Sequence, residues 1–406
     1  MTRRAWLGST WLAAAAARVR AARERVKITR VETLRAHIYT YVKIHTDAGV
    51  TGVGEVHPAS NTSSEIVTPV AAVQSFEAYL LGKDPTEVER HWEHLFRRMI
   101  FRGGADPMAA LGAVDMALWD ITGKLAGLPV YRMLGGPQRE KIRVYTHLNG
   151  LTPETLAEEA KEKVSQGFTA VRLYPLGDRK VFANQSFQAV VRTAVRNVEA
   201  VRKAVGPEID VLIDVVCLLT PPEAIAIGRA LEPLGLYFFE DPIEPDNVDA
   251  LAHVAASIPV PVSTGERMTT LYQFREVLNK NAAQYIRPDP SLAGGITNCK
   301  KIAALAEASY VGVSPHNPLS CVLTASCVQV AAAIHNFAVQ EYPGDEGQGP
   351  KRDLVKEPLK REGAYLLLPQ TPGLGIELNE EAFRHYPPKP YVRPPVVGSD
   401  GSLRDY

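Results

Sequence analysis

The sequence predicts an α/β fold: a closed β/α barrel of the (β/α)8 type carrying a smaller α+β capping unit. Two observations predict it. From about residue 141, short apolar runs alternate with helix-like segments, with eight strand candidates spaced about 25 residues apart. Strict alternation favours parallel strands with crossover helices, and eight units favour a closed barrel over an open sheet. Before residue 140 the order differs: strands come first and helices after, as in an α+β unit.

Each element has its own warrant. Val31, Thr33, Tyr39, Tyr41, Val42 and Ile44 lie in β-rich runs. Asp47-Ala48-Gly49 then supplies a turn, and Val50 to Val56 reads as the returning strand. Over residues 63–134 the period changes, and Leu111, Val114, Leu118, Ile121 and Leu125 recur at helical spacing. Asp106-Pro107 can start that helix, and Gly127 followed by Pro129 can stop it. The barrel strands are expected at Arg143–Leu148, Thr169–Tyr174, Asp210–Val215, Leu236–Asp241, Pro261–Glu266, Tyr285–Asp289, Val311–His316 and Phe337–Tyr342. Helix-like segments such as Pro222–Leu231 and Gly295–Glu307 lie between them. After Glu341 the chain turns Gly- and Pro-rich, with a short helical piece at Asn379–His385 and a Pro-rich tail. The expected organisation is an N-terminal segment (1–26), a capping domain (27–138), the barrel (139–342) and a C-terminal return with tail (343–406).

Composition narrows the partners. With 46% apolar and 22% charged residues among 406, the chain is globular and not disordered. Lys plus Arg equals Asp plus Glu at 45 each, so the basic excess of a nucleic-acid binder is missing. No uncharged apolar run reaches the roughly 18 residues of a membrane helix. The four cysteines show no C-x-x-C spacing, which argues for buried free thiols over disulfides or a zinc site. Thr2-Arg3-Arg4-Ala5-Trp6-Leu7 and the Ala-rich stretch to Ala17 resemble a twin-arginine export signal. A loose Ala/Arg helix fits the same residues, so the cytoplasm and the periplasm both stay open.

The chemistry lies at the strand ends. Asp214, Glu240 and Glu266 end the third, fourth and fifth candidates at spacings of 26 and 26. Asp289, His316 and Glu341 end the next three at spacings of 23, 27 and 25. In a β/α barrel these ends share one mouth. A single acid at a strand end is ordinarily a helix cap or a surface charge, but six acid/base residues with one period are hard to obtain that way. Five carboxylates there would repel one another strongly without a cation. Hard oxygen ligands suit Mg²⁺, and three of them (Asp214, Glu240, Glu266) leave positions for water or substrate.

Phe239-Glu240-Asp241-Pro242, Thr264-Gly265-Glu266-Arg267, Arg287-Pro288-Asp289 and Ala293-Gly294-Gly295-Ile296-Thr297 resemble the enolase superfamily. Ser314-Pro315-His316-Asn317 and Val339-Gln340-Glu341 fit its mandelate racemase branch, and within it the sugar-acid dehydratases of galactonate dehydratase type. Phe101-Arg102-Gly103-Gly104, Ala117-Leu118-Trp119-Asp120 and Leu134-Gly135-Gly136 resemble the branch's capping domain, and Pro372–Glu377 its C-terminal return. The resemblance implies a (β/α)7β barrel, one Mg²⁺ on Asp214, Glu240 and Glu266, a small sugar-acid substrate and a homo-oligomer. It implies that His316 removes the proton α to the carboxylate, that Asp289 orients His316, and that Glu341 is a protonated donor to the enediolate.

Departures from the branch pattern bear on the reaction. Where the branch carries Lys-x-Lys, this chain reads Arg172-Leu173-Tyr174, which argues against a two-base racemase. Val216 stands where dehydratases carry His or Asn after the third-strand Asp, so their usual acid for the leaving hydroxyl is missing. His147 and Tyr174 are candidate replacements. Alternatively His316 does both jobs, taking the α-proton and returning it to the β-hydroxyl in a syn elimination. His253 and His335, in helix-like segments, read as structural. Arg102 can reach over the mouth or lie in water, and Glu55 with Ser60–Ser64 can form a lid. Three functions follow: dehydration of an aldonate-like acid to a 2-keto-3-deoxy acid, racemisation or epimerisation, or metal and acid-sugar binding without turnover.

Overall fold

The computed structural model describes residues 26–58, 67–389 and 396–404. The twin-arginine-like segment and Ser60–Ser64 fall outside these residues. β1 (Ile28–Ala36), β2 (Tyr39–Thr46) and β3 (Thr51–Glu55) form an antiparallel sheet in that order. Gly49, at φ +73°, closes the expected turn between β2 and β3. Three helices follow: α1 (Val67–Leu80), α2 (Val88–Arg98) and α3 (Ala105–Ala126). Helix α3 ends at Gly127, at φ +68°, where Leu128 N–H donates back to Gly123 O at 3.0 Å.

Strand β3 lies almost against α3. A Cβ added at Gly52 or Gly54 would stand 2.0 Å from the carbonyl oxygens of Ala117 and Ala113. The strand period of two meets the helix period of four, so one strand face registers on one helix stripe. α3 is buried nearly all round because it is covered by β3 on one side and by the barrel on another.

The barrel strands are β4 (Lys141–Leu148), β5 (Ala170–Leu173), β6 (Asp210–Asp214), β7 (Leu236–Glu240), β8 (Val262–Thr264), β9 (Tyr285–Ile286), β10 (Gly312–Val313) and β11 (Gln340–Glu341). They pair in parallel from β4 to β10. β11 pairs with β4, and a Val313–Phe337 bridge completes the ring. A helix joins every consecutive pair, and β11 closes the barrel without a further crossover, which is the (β/α)7β form.

The barrel interior has two layers. Tyr145, Ala170, Leu212, Phe238 and Val339, with Tyr285 against them, form an apolar plug of their own. Tyr145 and Phe238, from β4 and β7, meet edge to face at 6.3 Å across the interior. Two residues along from each plug member, on the same strand face, comes a polar residue: His147, Arg172, Asp214, Glu240, Arg287 and Glu341. The alternation that builds the plug thus sets the charged layer above it.

The capping unit grips the loops that follow β9 and β10. Trp92 Nε1–H donates to Gly294 O at 2.6 Å. Asp115 accepts from Thr297 N at 3.0 Å and from Thr297 Oγ1 at 2.5 Å. Glu55, fully buried, accepts from Ser320 Oγ at 2.7 Å and Leu323 N at 3.0 Å, capping the helix Cys321–Ala333. Glu55 therefore anchors the interface, and the expectation of a lid carboxylate there is corrected. The C-terminal return is pinned from both sides: Tyr365–Leu367 pairs with the start of β4, and Leu374 N–H donates to Asp120 Oδ1 at 2.8 Å. All four cysteines are buried and free. No helix among the described residues is long and apolar enough to cross a membrane.

Two outcomes follow from the packing. Gly54→Ala should destabilise by about 1–3 kcal/mol or more, because the methyl collides with backbone that cannot rotate away; a melting temperature equal to the wild type's would refute the contact. Burial pushes the Asp115 carboxyl up from 3.8 to about 7 despite its Thr297 hydrogen bonds. The folded state then holds the proton more tightly than the unfolded chain, so this contribution is complete below pH 3.8 and is lost as pH rises towards 7. Asp115→Asn should remove up to about 4 kcal/mol of that alkaline loss. Denaturation midpoints from pH 4 to 8 should fall less steeply in the variant; identical slopes would sink the assignment.

Candidate active site

Asp214, Glu240 and Glu341 are the last residues of β6, β7 and β11, with Asp214 and Glu240 directly opposed in register. Glu266, Asp289 and His316 stand two or three residues beyond β8, β9 and β10, so these strands stop earlier than expected. The cause is local. Pro288 and Pro315 have no N–H for the ladder, and Gly265 turns to φ +128°. Arg172 lies within β5, opposite His147 of β4, and Tyr174 follows the end of β5.

Every one of the five carboxylates has a basic side chain beside it. Asp214 Oδ2 is 2.9 Å from Arg172 Nη2, and its Oδ1 accepts from Val216 N at 2.7 Å. Glu240 Oε1 lies 2.8 Å from Arg287 Nε, and Glu266 Oε2 lies 3.3 Å from His316 Nε2. Asp289 Oδ2 is 2.9 Å from His316 Nδ1, while Ser291 N and Oγ hold its other oxygen at 2.7 and 2.6 Å. Glu341 receives Arg287 Nη2 at 2.6 Å, Asn317 N at 2.8 Å and His147 Nε2 at 2.8 Å. The five carboxylates were expected to need a metal cation, with Arg172 able to neutralise one of them; two guanidinium groups are built into the mouth. Arg287 was missed as a charge. Its signal was present, since it stands two residues after the plug residue Tyr285.

These neighbours decide protonation. Burial opposes ionisation of Glu341, but Arg287, His316 and the His147 hydrogen bond outweigh it and hold the carboxyl well below the usual range. Glu341 is thus an ionised acceptor, and the expectation of a protonated donor is corrected. Burial likewise opposes charge on His316, yet Glu266, Glu341 and Asp289 push it up to about 9. Asp289 stays ionised, because its hydrogen bond to His316 outweighs burial. A carboxylate only accepts, and Asp289 faces Nδ1 while Glu266 faces Nε2, so in this arrangement the His316 ring carries a proton on both nitrogens. Burial and Arg172 lower His147 to about 4, so it is a neutral partner of Glu341 at pH 7. Burial raises the Tyr174 phenol, which keeps its proton; the Arg179 guanidinium lies 5.4 Å from its ring.

Asp214, Glu240 and Glu266 are an all-carboxylate set, the chemistry a hard divalent cation requires. Glu240 tests the fit. It is fully buried, and neither carboxylate oxygen has an aligned hydrogen bond, the Arg287 contact at 2.8 Å included. A buried carboxylate in that condition is costly unless it meets a cation. The donor set fits Mg²⁺. Among the described residues, a second cluster has ligand atoms all within 4.8 Å of one another: His57, Asp289 and His316. His57 was missed in the sequence. It follows β3 by two residues and lies in the stretch read as a lid. Arg102 is exposed, 5.8 Å from the Phe96 ring.

Val216 and Cys217 adopt φ of +54° and +64° in succession. A β-branched residue there is strained by about 1–3 kcal/mol. Val216 N–H bonded to Asp214, Arg267 Nη2 donating to Val216 O at 3.0 Å, and Cys217 N–H donating to Asp241 O at 2.8 Å hold the turn. The turn aims the Val216 N–H at Asp214, and that bond with the Arg172 contact fixes the carboxylate above its strand.

Residues 14–135 match the mandelate racemase/muconate lactonizing enzyme N-terminal domain, and residues 155–382 match the enolase C-terminal domain-like family. The D-galactonate dehydratase of Variovorax paradoxus (strain S110) is 34% identical over 389 residues, spanning 94% of this chain and 100% of that protein. The chain belongs to the enolase superfamily. An enolase from Agrobacterium radiobacter, solved with sodium and L-malate bound, matches with a TM-score of 0.87 at 28% identity, over 94% of this chain and 100% of the other. An enolase superfamily member from Salmonella Typhimurium matches at TM-score 0.84 and 30% identity, over 89% and 98% of the two chains. The superfamily's two-part architecture, an antiparallel cap on a β/α barrel, is the one seen here.

Arg287→Met should cost about 3–5 kcal/mol, because it leaves Glu240 and Glu341 buried beside each other without their shared cation. Adding Glu341→Gln should recover part of that loss. An unchanged denaturation midpoint in the single variant would show the guanidinium to be dispensable.

Proposed function

We propose that this chain is a hydro-lyase that removes water from an aldonate-like sugar acid to give a 2-keto-3-deoxy acid, with D-galactonate the first compound to test. The observation that carries the reading is the buried His316–Asp289 pair, at 2.9 Å, beside a carboxylate triad at a barrel mouth. The named dehydratase relatives support it.

Asp214, Glu240 and Glu266 would hold Mg²⁺, which when bound supplies a Lewis acid for the substrate carboxylate and its enediolate. The remaining steps belong to side chains. Arg172, always protonated and 2.9 Å from Asp214, provides fixed positive charge for an acid anion. Once its Nε2 proton is lost, His316 takes the α-proton, and Asp289, on Nδ1, keeps the ring in the tautomer that presents the Nε2 lone pair. Glu341 and Arg287 set the field behind that ring. The neutral His147 orients Glu341 and has no proton to spare for the leaving hydroxyl. Tyr174 keeps its phenolic proton and can donate, but is a weak base. The absence of a second strong base beside Arg172 counts against racemisation.

Incubation with Mg²⁺ and a panel of aldonates and aldarates should yield 2-keto acid from at least one. Solvent deuterium at the α-carbon without keto product would instead favour racemisation, and Mg²⁺ binding with neither would favour a binding protein. His316→Asn should lower both keto-acid formation and α-exchange by about 10²–10⁴-fold while leaving Mg²⁺ affinity near normal. Glu240→Gln should weaken Mg²⁺ binding with the fold intact; unchanged affinity by calorimetry would overturn the ligand assignment.

A further inference from the structure

Asp289 Oδ2 faces two imidazoles. His316 Nδ1 lies 2.9 Å from it, and His57 Nε2 lies 3.9 Å from the same oxygen. The two rings are 6.3 Å apart, centroid to centroid. Ser291 occupies the other oxygen of Asp289, so Oδ2 alone serves both histidines. Asp289 is fully buried, while His316 and His57 each retain an edge towards the mouth, with side chains 10% and 19% exposed. His57 comes from the cap, immediately after β3, and the cap is clamped to the loops beyond β9 and β10 through Asp115 and Glu55. A second imidazole is therefore held at the mouth on the same side as the base.

We propose that His57 is the acid that protonates the departing β-hydroxyl in the dehydration, a role that rests on the dehydratase reading above. His316 Nε2, once freed of its proton, is the base, and His57, on the other flank of the same carboxylate oxygen, is the acid. His316 Nε2 takes the α-proton and the C–H electron pair passes into the enediolate. That pair then forms the C2–C3 double bond as the C3–O bond breaks, and the hydroxyl leaves with the His57 proton as water. The enol ketonises to the 2-keto-3-deoxy acid. Release of the Nε2 proton of His316 to solvent and uptake of a solvent proton by His57 restore both rings. Both imidazoles stand on one side of the mouth, so the elimination is syn. This divides between two residues what the sequence suggested a lone His316 would do, and it supplies the acid missing at Val216.

The test uses the full chain with Mg²⁺, D-galactonate and 3-deoxy-3-fluoro-D-galactonate. Fluoride departs as an anion and depends far less on an acid. In His57→Gln, keto-acid formation from D-galactonate should fall at least 100-fold. Exchange of the α-proton with heavy water should persist within about threefold of wild type, and the fluoro compound should restore product formation to near the wild-type rate. Persistent exchange also shows that the variant is folded. Three results would overturn the proposal: unchanged dehydration, parallel loss of exchange and dehydration, or no gain with the fluoro compound. Wild-type enzyme that acts on neither compound, nor on any acid of the wider panel, would defeat the dehydratase reading itself, and the role of His57 with it.

Discussion

The Arg287 guanidinium is the interaction on which this site depends. It is fully buried, touches Glu240 on one side and Glu341 on the other, and lies about a ring's width above the plug, 5.8 Å from Tyr145 and 6.0 Å from Phe238. A cation taken from water to that depth is expensive unless paired. Two carboxylates and two aromatic faces meet the cost, and in return each carboxylate gains a partner it could not find in water. Removing any member exposes the others. This mutual dependence explains how a cluster of five acids can be buried in one cavity without tearing the barrel mouth apart.

The cap matters for a related reason. Its contacts are concentrated on the loops after β9 and β10, where Asp289 and His316 stand. Those two strands are only two residues long, since Pro288 and Pro315 end their ladders. Ladder hydrogen bonds are too few there to hold a dyad rigidly, and helix-capping bonds from Asp115 and Glu55 make up the deficit. A pair of side chains intended for proton transfer must be fixed within a few tenths of an ångström. The cap is thus part of the site's rigidity as well as its cover.

How much of this was legible in the chain depends on which kind of signal carried it. The barrel was legible because its strands repeat near 25 residues and each run is apolar. The acids at Asp214, Glu240 and Glu341 were legible because each closes a strand candidate at the common spacing of about 25 residues. Arg287 closes no candidate and was passed over, since an arginine in an apolar run suggests an exposed strand end until its partners are known. Its partners, Glu240 and Glu341, are 47 and 54 residues away in sequence and meet it only through closure of the ring. The protonation of Glu341 was misread for the same reason: burial was foreseeable, but the guanidinium and two N–H donors that override burial were not. His57 belongs to another unit altogether, and no periodicity links residue 57 to residue 289. Glu55 looked like a lid residue for want of any sign that it would cap a helix 265 residues further on.

The mouth divides into two halves of different chemistry, and the division follows the topology. β5 to β8 supply Arg172, Asp214, Glu240 and Glu266, a guanidinium and three carboxylates. β9 to β11, with β4 and the cap, supply the hydrogen-bonded pairs Asp289–His316 and Glu341–His147, and His57, 3.9 Å from Asp289. The cap bears on the second half. Charge stabilisation requires a rigid electrostatic frame, which barrel strands provide by themselves. Proton transfer also requires a cover that excludes water and brings a further donor. Placing the cap over the proton-handling half meets both needs with one set of contacts. On the proposed assignment, variation in the segment after β3 would alter the leaving-group step and leave the carboxylate set as it is.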